Sequence, residues 1–411
     1  MPSLLSPRSI SNLSRKHPQM KILVSPSGFK ESLEPHVAAN CIEAGILRVL
    51  PDATVQKAPL VDGGEGFAEA LVAATGGTVQ TLTVTGPIGQ PVQSHFGFLG
   101  GHRPKTAVIE MAAAAGLRLV PKDFRDPTAT TSFGVGQMIA TALEQGAQNI
   151  LVGCGDSGTC DGGVGMAQAL GARFFNRDGS EIPIGSGGVT LCDLAAVDLA
   201  GLHPLLQTAK IDVACNWYNI LCGPKGVARV FGPQKGATTA DVEYLSLAMD
   251  RCASVMGQAI GHDISQAPGS GASGGLGAGL MLIGAKLHPR YDIIMDFINI
   301  DDLFHGCDLV FTAEGGIDYQ TPRGKIPAEV ATRAKKRGLP VIALAGTIGQ
   351  DADVNYEVGI DAFASIMQCP SSLETAIADA ERLLTESAES VMRMVMVGQA
   401  IKQQPKQAQA A

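Results

Sequence analysis

Glu314, Asp318 and Lys325 lie in Ala313-Glu314-Gly315-Gly316-Ile317-Asp318-Tyr319-Gln320-Thr321-Pro322-Arg323-Gly324-Lys325, directly after the apolar run Leu309-Val310-Phe311-Thr312. A strand buried on both faces reads as an unbroken apolar run, and ligands of open α/β sheets gather beyond strand carboxyl ends. Two carboxylates, a lysine and three glycines there suit phosphoryl transfer or anion binding. The pattern recurs at Pro59-Leu60-Val61-Asp62-Gly63-Gly64-Glu65-Gly66 and at Ile150-Leu151-Val152-Gly153-Cys154-Gly155-Asp156-Ser157-Gly158-Thr159-Cys160-Asp161-Gly162-Gly163. Any one loop could be a solvated turn, and Glu65 or Asp156 a helix cap. Three such loops point to one shared cleft.

The elements that would carry these loops alternate short apolar runs with helical periodicity, as layered α/β domains do. The pattern predicts strands near 21–25, 149–152, 210–214, 308–312 and 340–345. It predicts helices near 35–49, 65–75, 132–145, 163–171, 239–259, 274–285, 327–337 and 371–398. Residues 78–110 read as β-rich. The expected architecture has two domains: a Rossmann-like three-layer α/β domain from both termini (20–77 and 285–400) and a large inserted α/β domain (78–284). Residues 1–19 and 401–411 are expected to be disordered extensions.

With 411 residues the chain exceeds one ordinary core. Fifty glycines are well above ordinary usage of about 7%, and they cluster at strand ends. A net charge of −8 argues against nucleic acid or an anionic membrane as partner. No stretch of about eighteen apolar residues is present, which excludes a membrane span. Nine cysteines without metal-type spacing fit reduced thiols and a cytoplasmic location. An anionic substrate would need local cations, and Lys30, Lys225, Lys235, Arg323 and Lys325 all sit in or beside glycine-rich segments. Gly153-x-Gly155-x-x-Gly158 and Gly269-x-Gly271-x-x-Gly274 satisfy dinucleotide spacing. The first has no immediate helix and the second no convincing strand, as that fingerprint requires.

Laid out in order, the motifs resemble those of the bacterial type I glycerate kinase family from Met20 to about Gly398. They are Pro26-Ser27-Gly28-Phe29-Lys30-Glu31-Ser32-Leu33, Asp62-Gly63-Gly64-Glu65-Gly66, Val84-Thr85-Gly86-Pro87-Ile88-Gly89, Thr159 to Gly165, Phe231-Gly232-Pro233-Gln234-Lys235-Gly236-Ala237, Gly274-Gly275-Leu276-Gly277, and Glu314 through Lys325. The resemblance implies ATP-dependent phosphorylation of D-glycerate, expected at the 2-hydroxyl, on a Rossmann-like domain with a large insertion. Departures lie within the motifs. Ser27-Gly28 stands where the family usually has Asp-Ser, Asn216 where it has Asp, and Gly316 where it has Arg; residues 156–160 also differ.

Phosphoryl transfer asks the protein mainly to position groups and to neutralise charge on the transferred oxygens. Magnesium takes one or two carboxylates besides phosphate oxygens and waters. Asp62, Glu65, Asp161, Glu314 and Asp318 therefore compete for the metal and base roles. The metal is expected on Asp161, Glu314 and Asp318, and the base is expected to be Asp318 or Asp161. Lys30 and Lys325 are the expected catalytic cations. Ser27, Lys30, Asp62, Gly63, Gly64, Glu65, Ser157, Thr159, Asn216, Asn219, Gly274, Gly275, Glu314 and Lys325 are expected to contact substrate or nucleotide. The alternatives are a kinase of a related small hydroxy acid, a non-catalytic ligand sensor and a nicotinamide-dependent oxidoreductase.

Overall fold

In the computed structural model, residues 19–403 are described, apart from Lys30, Glu31, Asp62, His102, Ile298 and Arg323. The expected N-terminal extension thus falls almost wholly outside the described residues.

Two sheets carry the fold. One is fully parallel, in the order β13-β12-β11-β1-β2: β1 (Lys21–Val24), β2 (Thr54–Lys57), β11 (Leu309–Ile317), β12 (Val341–Ile348) and β13 (Ala362–Ser365). The other is mixed, in the order β10-β9-β6-β5-β4-β3: β3 (Thr78–Thr85), β4 (Pro91–Phe98), β5 (Thr106–Glu110), β6 (Asn149–Gly153), β9 (Lys210–Cys215) and β10 (Lys286–Pro289). A short ribbon of β7 (Arg173–Asn176) and β8 (Leu194–Asp198) completes the β-structure of the described residues. Strand β10 pairs with β9 in the six-stranded sheet, slightly beyond the 284/285 boundary expected from sequence.

The helices are α1 (Pro35–Val49), α2 (Phe67–Thr75), α3 (Ala112–Ala115), α4 (Phe133–Glu144), α5 (Val164–Ala169), α6 (Val227–Phe231), α7 (Thr239–Ile260), α8 (Ala272–Leu282), α9 (Arg290–Phe297), α10 (Ile300–Leu303), α11 (Ile326–Lys335), α12 (Leu373–Ala378) and α13 (Ala380–Gln403). α13 runs through 401–403, where the sequence pattern suggested a tail. The single helix expected over 371–398 is divided at Asp379.

Period-two alternation sorts the strands between layers. Ile22, Val24, Phe311 and Leu344 pack under α1 and α13, while Leu23, Val310, Val341 and Ala343 face α9, α10 and α11. In the other sheet Ile109, Val152 and Val213 join the core with α4, α5, α7 and α8, and Val108, Leu151 and Ala214 lie against Phe67 and Leu71 of α2. Burying one such aliphatic or aromatic side chain contributes about 1.5–3 kcal/mol. α9 serves both sheets: Tyr291 and Met295 enter the core of the first, Ile294 that of the second.

α1 and α13 approach to backbone contact at Gly45, where a Cβ would lie 2.3 Å from the Thr385 carbonyl oxygen and 2.7 Å from the Ala388 Cβ. Gly45→Val is expected to lower stability by about 1–3 kcal/mol through overpacking, read as a lower urea midpoint. An unchanged midpoint would contradict this helix contact.

Candidate active site

At the carboxyl edge of the five-stranded sheet, β11 continues beyond its apolar run to Ile317. The apolar run alone predicts an end near Thr312. The extension exists because β12 runs alongside it and pairs with it as far as Ile317↔Ile348, so Glu314 is a strand residue. Ser27 is buried beside it, donating from both N–H and Oγ to the Ala313 carbonyl at 2.8 and 3.0 Å. Lys325, at the start of α11, turns back over the strand. Its Nζ lies 3.6 Å from Asp318 Oδ1, 4.0 Å from Glu314 Oε1 and 3.3 Å from the Gly316 carbonyl. These three side chains are each about a quarter exposed.

The backbone around Asp318 is fixed from several sides. Gln320 N–H donates to its Oδ1 at 2.8 Å, and the wholly buried Asn355 donates to its carbonyl at 3.0 Å. Asn355 was not singled out in the sequence, because a lone asparagine in a 3₁₀ turn (Ala352–Tyr356) carries no spacing signal.

The Gly63–Gly66 loop links the two sheets. It leaves β2 tied to the first, with Ala58 N–H on the Val24 carbonyl and Leu60 N–H on the Pro26 carbonyl, both at 2.9 Å. It then lies on the carboxyl ends of β6 and β9. A Cβ on Gly155 would come 2.6 Å from Gly64 Cα, and one on Gly63 would come 3.4 Å from the Ala214 carbonyl. Glu65 N–H donates to Asp156 Oδ2 at 3.1 Å, and the Glu65 carboxylate faces Arg118 at 3.4 Å.

On its other side the 153–163 loop is held by Lys235, which is 3% exposed and donates to Ser157 Oγ at 2.8 Å and the Thr159 carbonyl at 2.7 Å. Burial lowers the Lys235 pKa, opposed by the nearby Cys160 and Asp161. Gly274 and Gly275, both left-handed, close over this loop; a Cβ on Gly274 would sit 1.9 Å from the Thr159 carbonyl. Asn216 makes a local turn, its Oδ1 accepting Tyr218 N–H at 3.1 Å, and the Asn219 carbonyl receives Gly271 N–H at 3.1 Å.

Asp161, expected as base or metal ligand, is enclosed by backbone and hydroxyl donors. It is fully buried, Oδ2 accepting Ser132 N–H at 2.7 Å, Ser132 Oγ–H at 2.8 Å and Gly165 N–H at 3.3 Å, and Oδ1 accepting Gly163 N–H at 3.1 Å. Burial raises its pKa against the pull of these donors. It joins the N-terminal ends of α4 and α5, where a carboxylate also meets the helix dipoles.

The structure thus brings Ser27, Glu314, Asp318 and Lys325 together at one sheet edge, and Gly63, Gly64, Glu65, Ser157, Thr159, Gly274 and Gly275 along the other. Lys30 and Asp62 lie outside the described residues, as does Arg323. Among the described residues no three His, Cys, Asp or Glu side chains form a metal cage, and no helix is long and apolar enough to cross a membrane. The Gly153-x-Gly155-x-x-Gly158 stretch does not open a helix: the next one is α5, at Val164.

Carboxylates, a lysine and glycine loops on sheet edges joined by one bridging loop are the equipment of a phosphotransferase. A profile described as the glycerate kinase family matches residues 22–396. Over 373 residues the chain is 44% identical to a glycerate kinase of Bacillus subtilis, covering 90% of this chain and 97% of that one. Over 380 residues it is 43% identical to a glycerate 2-kinase of Escherichia coli, covering 92% and 99%. A crystal structure assigned as glycerate kinase 2 of Salmonella typhimurium superposes with a TM-score of 0.79 at 41% identity, covering 92% of this chain and 99% of that one. The chain belongs to the glycerate kinase family, and it is a kinase.

Sequence reasoning missed Glu110, the last residue of β5, because a single glutamate after Thr-Ala-Val-Ile looks like the end of any strand. It is fully buried, and burial pushes its carboxyl up to about 7 from 4.5. A raised folded-state pKa means that its contribution to stability is complete below about 4.5 and is lost as pH rises through about 7. Glu110→Gln removes that dependence. Relative to the parent protein, the variant is expected to gain about 2–3 kcal/mol between pH 4.5 and pH 8, measured from urea midpoints at each pH. A stability difference constant with pH would refute the assignment.

Proposed function

We propose that this kinase transfers the γ-phosphoryl group of ATP to the 2-hydroxyl of D-glycerate, giving 2-phosphoglycerate, in the cytoplasm. The observation that carries this reading is the convergence of Glu314, Asp318 and Lys325 at the carboxyl end of β11; the named relatives supply the substrate. The two sheets serve as the cores of two domains, 20–77 with 285–400 and an insertion over 78–284 to which β10 also contributes, with the site between them.

Each group then has a task. Asp318, held by Gln320 and Asn355, accepts the proton of the attacking hydroxyl; Asp161, with both oxygens occupied, is left a structural role. Lys325 and Lys30 offer point charges to the glycerate carboxylate or the phosphates. Backbone N–H groups of Gly63 and Gly274 suit phosphate oxygens, as glycine turns and helix starts do elsewhere. Glu314 is a hard oxygen donor on the same edge, which fits Mg²⁺. When bound, the ion would neutralise charge on the phosphate oxygens.

The reading is tested by ADP release with ATP, Mg²⁺ and D-glycerate, with the phosphorylated position identified by phosphorus NMR and erythronate and tartronate run in parallel. Asp318→Asn is expected to lower kcat about 10²–10⁴-fold with the thermal transition unchanged. Near-normal turnover would remove Asp318 from the base role. Glycerate binding without ADP would favour a sensor, and an ATP-independent absorbance change with NAD(P) would favour an oxidoreductase.

A further inference from the structure

Glu110 sits at the seam between the two sheets. It ends β5 in register with Gly153 of β6, and Phe67, the first residue of α2, lies directly on that glycine, where a Cβ would come 2.4 Å from the ring. α2 begins after Gly66 (φ 80°) with no side chain of its own capping it. Its first turn is instead met by the other sheet: Glu110 Oε2 accepts Ala68 N–H at 3.2 Å, and the nearby Gly66 amide also favours the ionised carboxylate. One residue earlier, Glu65 N–H goes to Asp156 Oδ2 at 3.1 Å, from the loop that follows β6. Asp156 holds a left-handed backbone (φ 47°) to do so, a conformation that costs a non-glycine residue energy.

Glu110 is fully buried, yet its Oε1 meets no hydrogen-bond donor among the described residues. The nearby charges are Glu65 and Arg118, which pair with each other. An internal helix cap needs neither full burial nor a second carboxylate on the adjacent amide. Two carboxylates from neighbouring strand ends gripping amides 65 and 68 hold the segment that carries Gly63 and Gly64 in a fixed position against the six-stranded sheet.

We propose that Glu110 and Asp156 form a carboxylate clamp that positions the Gly63–Gly66 backbone for ligand binding, making Glu110 a positioning residue of the active site. The proposal rests on the reading of this loop as part of the ligand site, and its test separates the two. Hydrogen–deuterium exchange at pH 8 is compared for the full-length parent, Glu110→Gln and Asp156→Asn, together with thermal transitions and steady-state kinetics with ATP and D-glycerate.

In both variants, exchange of peptides spanning 63–71 is expected to quicken at least tenfold while no other peptide quickens. KM for ATP or glycerate is expected to rise at least fivefold with kcat within threefold. Unchanged exchange at 63–71 in both variants, acceleration throughout the chain, or local acceleration with KM unchanged would each overturn the proposal. If the parent releases no ADP with glycerate but the 63–71 segment loosens selectively and ATP binding weakens, the clamp stands and the substrate assignment falls.

Discussion

The arrangement depends on backbone meeting backbone at the junction of the two sheets. A loop tied to β2 of one sheet is pressed onto the ends of β6 and β9 of the other, at separations where Gly64 and Gly155 leave no room for a Cβ between them. A side chain there would part the sheet edges by a bond length or more, and with them the loops and side chains set along those edges. Close packing transmits such displacements instead of absorbing them.

Charge is handled in two ways across this junction. At the five-stranded edge Glu314, Asp318 and Lys325 are partly exposed and loosely paired, so their positions can answer to a ligand. At the six-stranded edge Asp161 and Lys235 are buried and surrounded by partners. Removing one member of such a buried set leaves the other groups unsatisfied in a medium that does not replace water. The first set is suited to chemistry, and the second preserves the shape of the loop between them.

Much of this was legible in the sequence. The strands at β1, β6, β9, β11 and β12 and the helix α1 stood out because their residues are apolar on both faces or regular in period. Strands β2 and β13 were not read, being four residues each at or beside a sheet edge with partly exposed side chains. α9 and α10, of eight and four residues, are too short for a helical period to show in the sequence. Within the site, glycine spacing located the loops and the acid at 318. It gave no warning that Asp161 would be enclosed by Ser132 and two backbone amides, since Ser132 is 29 residues away. Glu110 was hidden for the same reason: its meaning comes from α2, which is 42 residues distant at Ala68.

The five-stranded sheet closes only between remote parts of the chain: Lys21 N–H donates to the Asp308 carboxylate, 287 residues further on. During synthesis, the segment that builds β3 to β10 emerges complete while β1 still lacks its neighbour β11. The order of translation therefore favours completion of the six-stranded sheet first. The leading strand waits with an unpaired edge open to other chains until the last quarter of the polypeptide has left the ribosome.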